Sequence, residues 1–358
     1  MAHVANAQTG FEIIGTGHYV PGPPVTNADL SRVMDTSDEW IFKRSGIRQR
    51  HYAPEGVGAS DLGTEAAKKA IDAARISPKE IDYIIFATMT PDYVFPGSAA
   101  LLGAKLGIEG VPGLDISQQC GAMLFGIQLV DSLIRSGNAR TVLFVGAEAH
   151  AGFMPWDDWD VLMGESQREV TPEARERANV HRALAVLFGD GGGALIFRAT
   201  DRDAGLRGIK LHTDGRGAKL LYVPGGGFRT RPYWKKDHFD EQAHIPRMDG
   251  KELFRFAVTK LPEAARELCT EQGVSIPQID WFLAHQANQR INDNVREHLG
   301  VPPERMPMNI DRFGNTSAAT IPILIDEQTR AGNLKKGELN MLLALGAGIH
   351  WGCALVRW

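Results

Sequence analysis

The chain repeats itself, and the repeat limits the folds open to it. Ile81-Asp82-Tyr83 recurs as Ile279-Asp280-Trp281, an offset of 198, each triplet behind an alanine-bearing helical stretch and a short turn containing Pro78 or Pro277. The stretch from Leu129 to Asn138 recurs from Leu324 to Asn333, an offset of 195. Leu143-Phe144-Val145-Gly146-Ala147 recurs as Leu343-Ala344-Leu345-Gly346-Ala347, an offset of 200. Small drifts in offset are what loop changes between two copies of one unit produce. Each copy alternates continuous apolar runs, which read as buried strands, with amphipathic helical runs. The expected architecture is therefore α/β, two pseudo-symmetric halves covering 1–200 and 201–358, meeting near the polar stretch Thr200 to Gly205.

Composition narrows the function. Apolar residues are 43% of the 358, charged residues 23%, and the net charge is −4 with both signs interspersed, so no nucleic-acid surface is expected. Cys120, Cys269 and Cys353 are widely spaced and odd in number. They suggest no disulfide framework, no metal site and a reducing, cytoplasmic setting. No leader is expected in Met1 to Gly10, and no apolar run is long enough to span a membrane.

Three polar groups stand at positions where an α/β sheet builds chemistry. The apolar run Val111 to Ile116 reads as a strand, followed by a bend carrying Cys120 and then a helix. A thiol at a helix start feels unpaired N–H groups and the positive end of the dipole, which favours the thiolate. At the offset of 195, Cys120 corresponds to Asn315, also just before a helix. His285 ends the apolar run from Trp281, at a strand's C-terminal end, where open α/β sheets bind ligands. A cysteine, a histidine and an asparagine brought together suit acyl transfer: a nucleophile, and two donors for an oxyanion or enolate oxygen. The glycine clusters 189–193 and 225–227 lack the lysine and hydroxyl of a phosphate loop and read as close packing or tight turns.

From Phe11 to Trp358 the chain resembles the β-ketoacyl-acyl carrier protein synthase III family of thiolase-fold condensing enzymes. The resemblance rests on Asp35 to Ile41, Arg44 to Arg48, Cys120, His285-Gln286-Ala287-Asn288, Gly314 to Ala319 and Gly346 to Gly352. It implies a layered αβαβα sandwich and decarboxylative condensation of an acyl-CoA primer with malonyl-acyl carrier protein. Cys120 would be the acylated nucleophile, with His285 and Asn315 completing a triad. The backbone N–H groups of Cys120 and Ala347 would form the oxyanion hole. Trp40 and Arg44 would grip coenzyme A, and Asn288 would support that site. Arg290 would meet the carrier protein. Phe95 would reach across a homodimer into the partner's acyl pocket, and Met123, Met248 and Leu345 are candidates for the pocket wall. No resident cofactor or metal is implied; acyl-CoA is a substrate.

Three features depart from the family pattern. Gln118 and Gln119 stand where small residues usually precede the cysteine. A longer segment, about 153–182, carries Trp156 and Trp159 and reads as a lid, a dimer contact or an insertion anchored by its aromatics. His350 follows the Gly346–Gly348 turn. These features keep two alternatives in view: a relative that joins longer β-ketoacyl chains or acylates oxygen or nitrogen, and an inactive partner subunit.

Overall fold

The computed structural model describes residues 10–358. Two sheets carry it. The first is built from β1 (Gly10–Tyr19), β2 (Tyr83–Ala87), β3 (Gly113–Ile116), β4 (Thr141–Glu148) and β5 (Gly191–Thr200), in the order β1-β5-β4-β2-β3. The second is built from β6 (Gly205–Thr213), β7 (Trp281–Ala284), β8 (Leu339–Gly346) and β9 (His350–Arg357), in the order β7-β8-β9-β6. The central pairs β2·β4 and β7·β8 are parallel, while β4·β5 and β8·β9 are antiparallel. The second sheet is the first without β3. The Thr200–Gly205 stretch joins the last strand of one sheet to the first strand of the other.

Seven helices position the site: α1 (Asp38–Ser45), α2 (Ala59–Ala74), α3 (Ser98–Leu106), α4 (Ala122–Arg135), α5 (Gly250–Gln272), α6 (Gln289–Leu299) and α7 (Thr320–Arg330). The repeated helices α4 and α7 lie together between the sheets. Leu124, Ile127 and Val130 of one and Ile321, Leu324 and Ile325 of the other share one core with Phe144, Leu195, Leu283 and Leu342. Helices α2 and α3 cover the outer face of the first sheet, α5 and α6 that of the second. The result is the αβαβα sandwich. Continuous apolar strands follow from it, since a sheet covered on both faces has no polar side; all eight residues of β4 are buried.

The offsets sharpen into a rule. Tyr83 pairs with Val142 and Trp281 with Asn340, so both central strands advance by 198. The match at 200 is therefore two residues out of register. A two-residue slip keeps every side chain on its own face, so the apolar pattern cannot detect it. The helices begin at 198 as well. One-turn 3₁₀ segments, Gln119–Gly121 and Ser317–Ala319, precede α4 and α7, and Gln119 and Ser317 share a left-handed backbone, with φ of 46° and 47°. Helix α7 is 11 residues and α4 is 14, so 195 holds only toward their C-terminal ends, where Asp131–Arg135 and Asp326–Arg330 pair in both copies. The pseudo-symmetric mate of Cys120 is thus Ala318, and that of Asn315 is Ser117.

One connection differs greatly between the copies. The turn between β8 and β9 is 347–349, whereas its counterpart between β4 and β5 runs through 149–190. The latter holds the insertion. Met154, Trp156, Val161, Leu162 and Ala178 pack in one cluster with Leu30, Met34, Ile41 and Ile47 around α1. Trp156 and Trp159 meet Tyr52 edge-on at 6.0 and 5.4 Å. Aromatic contacts anchor the insertion to the body of the protein, and its Phe153 lines the cavity described below.

Replacing Leu324 by Ala in this central layer should cost about 2–5 kcal/mol in denaturant unfolding, the usual range for a sealed leucine. A loss below ~1 kcal/mol would mean that α4 and α7 do not form a common core.

Candidate active site

Cys120 sits in the 3₁₀ turn ahead of α4, buried, with Sγ 3.5 Å from the hydroxyl of Ser317 in the matching turn ahead of α7. The two helix starts do face each other, but the partner residue is Ser317. Asn315, also buried, accepts a 2.8 Å hydrogen bond from the Ser317 N–H through Oδ1, which leaves its NH₂ as the uncommitted end. His285 follows the last residue of β7, and its Nδ1 lies 2.6 Å from the hydroxyl of Thr320, the first residue of α7. That hydroxyl is also 3.0 Å from the Ser317 carbonyl. His285 Nε2 is buried with no partner among the described residues. The segment 315–320 therefore touches all three members of the predicted triad.

The electrostatics differ from the expectation for a helix-start thiol. Burial pushes the Cys120 thiol up to about 12, and the buried Glu148 carboxylate adds to the rise, while the Ser317 hydroxyl opposes it. The resting group is a neutral thiol, because losing water costs the thiolate more than the helix start returns. Glu148 itself accepts hydrogen bonds from Thr88, from Thr90 and from the Met89 and Thr90 backbone N–H groups. Burial alone lowers His285 to about 3, so its imidazole is neutral at any working pH.

The end of β8 closes on the Cys120 turn. A Cβ on Gly346 would lie 2.7 Å from the Gly121 nitrogen, 2.8 Å from the Gln118 carbonyl oxygen and 3.2 Å from the Cys120 nitrogen. Only glycine allows that approach, which sets Ala347 beside the nucleophile. The 189–193 cluster is likewise a matter of close packing, with Gly193 pressed on Pro322 and Ile323 of α7. Its neighbour Leu187 accepts a hydrogen bond from the Asn315 N–H.

A cavity of 330 Å³ adjoins this turn. Ser117, Gln119, Ala347, Gly348 and His350 form the wall nearest Cys120, and Met89, His150, Phe153, Phe188, Ala218, Leu221, Tyr222, Val223 and Pro246 form the rest. Met123, Met248, Leu345 and Phe95 do not line it. Met123 is buried in the central layer, Leu345 packs toward α5 and α6, Met248 pairs with Leu221, and Phe95 is 81% exposed. Gln118 closes the Cys120 turn by accepting from the Gly121 N–H. His350 Nδ1 is 2.8 Å from the Thr213 hydroxyl.

Helix α1, capped by Ser37, presents Trp40 and Arg44, with the Arg44 guanidinium 4.2 Å from the indole centroid. Arg182 lies 4.5 Å from the same ring. No sequence spacing tied Arg182 to Trp40; it arrives from the far end of the insertion. Asn288 caps α6 and donates to the Arg44 carbonyl at 2.9 Å, joining α1 to the His285 loop. Arg290 lies on the first turn of α6, 5.6 Å from the Phe254 ring. Among the described residues no cluster of His, Cys, Asp and Glu could hold a metal ion, and no helix is long and apolar enough to cross a membrane.

Two outcomes follow from this geometry. Alkylation of Cys120 in the resting protein should accelerate about tenfold per pH unit from 7 to 10 with no plateau, since the thiolate fraction grows throughout that range; a plateau below pH 8 would contradict a raised thiol. Gly346→Ala should abolish acylation of Cys120 while Gly227→Ala, an exposed loop glycine with open space beside it, leaves acylation within about twofold. Equal acylation by the two variants would show that β8 does not constrain the nucleophile.

Comparison with known proteins agrees with the geometry. Residues 269–358 match the model for the 3-oxoacyl-[acyl-carrier-protein (ACP)] synthase III C terminal, and residues 42–155 match that for the thiolase N-terminal domain. The β-ketoacyl-[acyl-carrier-protein] synthase III of Rhizorhabdus wittichii is 41% identical over 97% of this chain and 98% of its own. The crystal structure of 3-oxoacyl-[acyl-carrier-protein] synthase III from Aquifex aeolicus superposes with a TM-score of 0.83 at 36% identity, covering 98% of this chain and all of that one. The OleA of Xanthomonas campestris, 20% identical with a TM-score of 0.80 over 98% of this chain and 99% of its own, shares the fold. With its thiolase fold and full-length likeness, the chain belongs to the β-ketoacyl-acyl carrier protein synthase III family of condensing enzymes.

Proposed function

We propose that the protein condenses an acyl-CoA primer with malonyl-acyl carrier protein in two half-reactions at Cys120. In the first, Cys120 sulfur bonds to the primer's carbonyl carbon, the carbon–sulfur bond to coenzyme A breaks, and the thiol proton leaves with the coenzyme A thiolate. The backbone N–H groups of Cys120 and Ala347 serve the tetrahedral oxyanion. In the second, malonyl-acyl carrier protein loses CO₂. The electron pair of the broken carbon–carbon bond forms an enolate, whose carbon attacks the Cys120 thioester. The cysteine thiolate released takes a proton from solvent, and a β-ketoacyl-acyl carrier protein departs.

The observation that carries this reading is the 315–320 segment, which holds a thiol, an imidazole and an amide in one buried place. The Thr320 hydroxyl lies 2.6 Å from Nδ1 of neutral His285 and donates to the Ser317 carbonyl at 3.0 Å, and Nε2 has no partner among the described residues. Turned from that carbonyl to Nδ1, the hydroxyl holds the tautomer protonated on Nε2, whose N–H and the Asn315 NH₂ are the two donors that an enolate oxygen needs. Trp40 with Arg44 and Arg182 is suited to the adenine of coenzyme A, because flat guanidinium and indole faces stack on a purine. Arg290 is suited to an acidic carrier protein. Tyr93, Val94 and Phe95 are 61, 59 and 81% exposed in succession, an apolar run that a second copy of the chain would cover in a homodimer. No resident cofactor takes part in these steps.

Labelled CO₂ should be released from malonyl-acyl carrier protein, with β-ketoacyl product formed, only when an acyl-CoA primer is present. Cys120→Ala should end condensation, and condensation surviving in that variant would refute the reading. His285→Ala or Asn315→Ala should retain acylation of Cys120 and lower condensation by about 10²–10³-fold, the cost of losing one oxyanion donor. Thr320→Val should follow them, and Thr320→Ser should recover most of the loss.

A further inference from the structure

His150 is a titratable group that none of the steps above uses. It is completely buried, in a short turn after β4, and forms part of the wall of the 330 Å³ cavity that adjoins Cys120. Three contacts fix its ring. Nδ1 lies 2.9 Å from the Gly189 carbonyl oxygen, one face stacks on Phe188 with 4.8 Å between centroids, and Asp190 Oδ1 is 3.7 Å from Nδ1. The backbone N–H of His150 is held by the same Asp190 at 2.6 Å. A carbonyl oxygen can only accept, so Nδ1 carries a proton. Nε2, at the other side of the ring, has no partner among the described residues.

An unpaired buried nitrogen destabilises the fold unless something fills its hydrogen-bonding site. Met89, Phe153, Phe188, Leu221 and Val223 give the cavity a largely apolar wall, to which Ser117, Gln119, Tyr222 and His350 add polar side chains. An imidazole held rigidly in such a wall is the usual form of a specificity group, a mostly apolar slot with a few placed polar atoms.

We propose that the primer taken by this cavity carries an oxygen function on its acyl chain, a hydroxyl above all, that pairs with His150 Nε2. The proposal rests on the condensing reaction above and deepens it by naming the primer class. A hydroxyl fits either state of the ring, donating to neutral Nε2 or accepting from it when it is protonated. The buried Asp190 and Glu148 carboxylates on either side favour the protonated form and raise His150 above the ordinary histidine range. A site that pairs with a substrate hydroxyl discriminates strongly against the analogue lacking it, because the buried partner is left unpaired.

The test compares acylation rates of Cys120, by intact mass, with hexanoyl-CoA and with its 3-, 4-, 5- and 6-hydroxy derivatives, which carry the oxygen from the β carbon to the end of a six-carbon chain. At least one hydroxylated primer should react about tenfold or more faster than hexanoyl-CoA. In His150→Leu the ratio of hydroxylated to plain primer should fall to about one. The inference is overturned if hexanoyl-CoA matches or exceeds all four derivatives in the unaltered protein, or if the preference persists in His150→Leu. Should that variant fold poorly by thermal melting, the unaltered protein alone still decides the first outcome, and His150→Phe replaces it for the second. A protein acylated well by hexanoyl-CoA but by no hydroxylated primer loses only this inference; one that no primer acylates loses the condensing assignment as well.

Discussion

Everything at the catalytic centre hangs on the six residues from Asn315 to Thr320. Ser317 reaches Cys120 with its hydroxyl and Asn315 with its N–H, and Thr320 reaches His285. The segment is held in turn by the rest of the protein. Leu187 accepts from the Asn315 N–H, the Ala318 N–H approaches Glu148, and Thr320 opens a helix sunk between two sheets. A left-handed backbone at Ser317, uncommon for a residue with a side chain, is kept because the packing on every side determines it. The reacting groups come from distant points in the chain, yet their relative positions depend on one short turn.

The pseudo-symmetry explains why such a turn exists. Both copies enter the central helix through a 3₁₀ segment with one left-handed residue, and the two segments meet at the junction. One presents Cys120 and the other presents the hydroxyl and amide groups that surround it. Burial between two sheets then fixes the protonation states. The thiol and the imidazole are both neutral at rest.

The fold was legible in the sequence because periodicity and repetition report burial directly. Apolar runs such as Ile81 to Ala87 revealed doubly covered strands, and the 198 offset revealed two copies. Register was less legible: Gly146 and Gly346 look equivalent, yet a two-residue slip leaves the apolar pattern unchanged. Cys120, His285 and Asn315 were visible as residue types at strand and helix ends. Their connectors were not, because Ser317, Thr320, Arg182 and His150 are ordinary residues whose partners lie far away in the sequence. The state of the thiol was misread for a related reason. A helix start is a local feature, whereas desolvation is summed over the whole fold.

The unequal hairpins divide the protein's capacity for change. The connection at 347–349 has no slack: it must bring Ala347 past a glycine that tolerates no side chain. Its counterpart at 149–190 is long, has its own packed aromatics and contributes His150, Phe153 and Phe188 to the cavity wall. Substitutions at its cavity-lining residues can therefore reshape the cavity, whereas Leu187, which holds the Asn315 N–H, must stay in place. Shape can drift along most of this one connection while 347–349 stays fixed, which makes its cavity-lining residues the natural place to alter what the cavity admits.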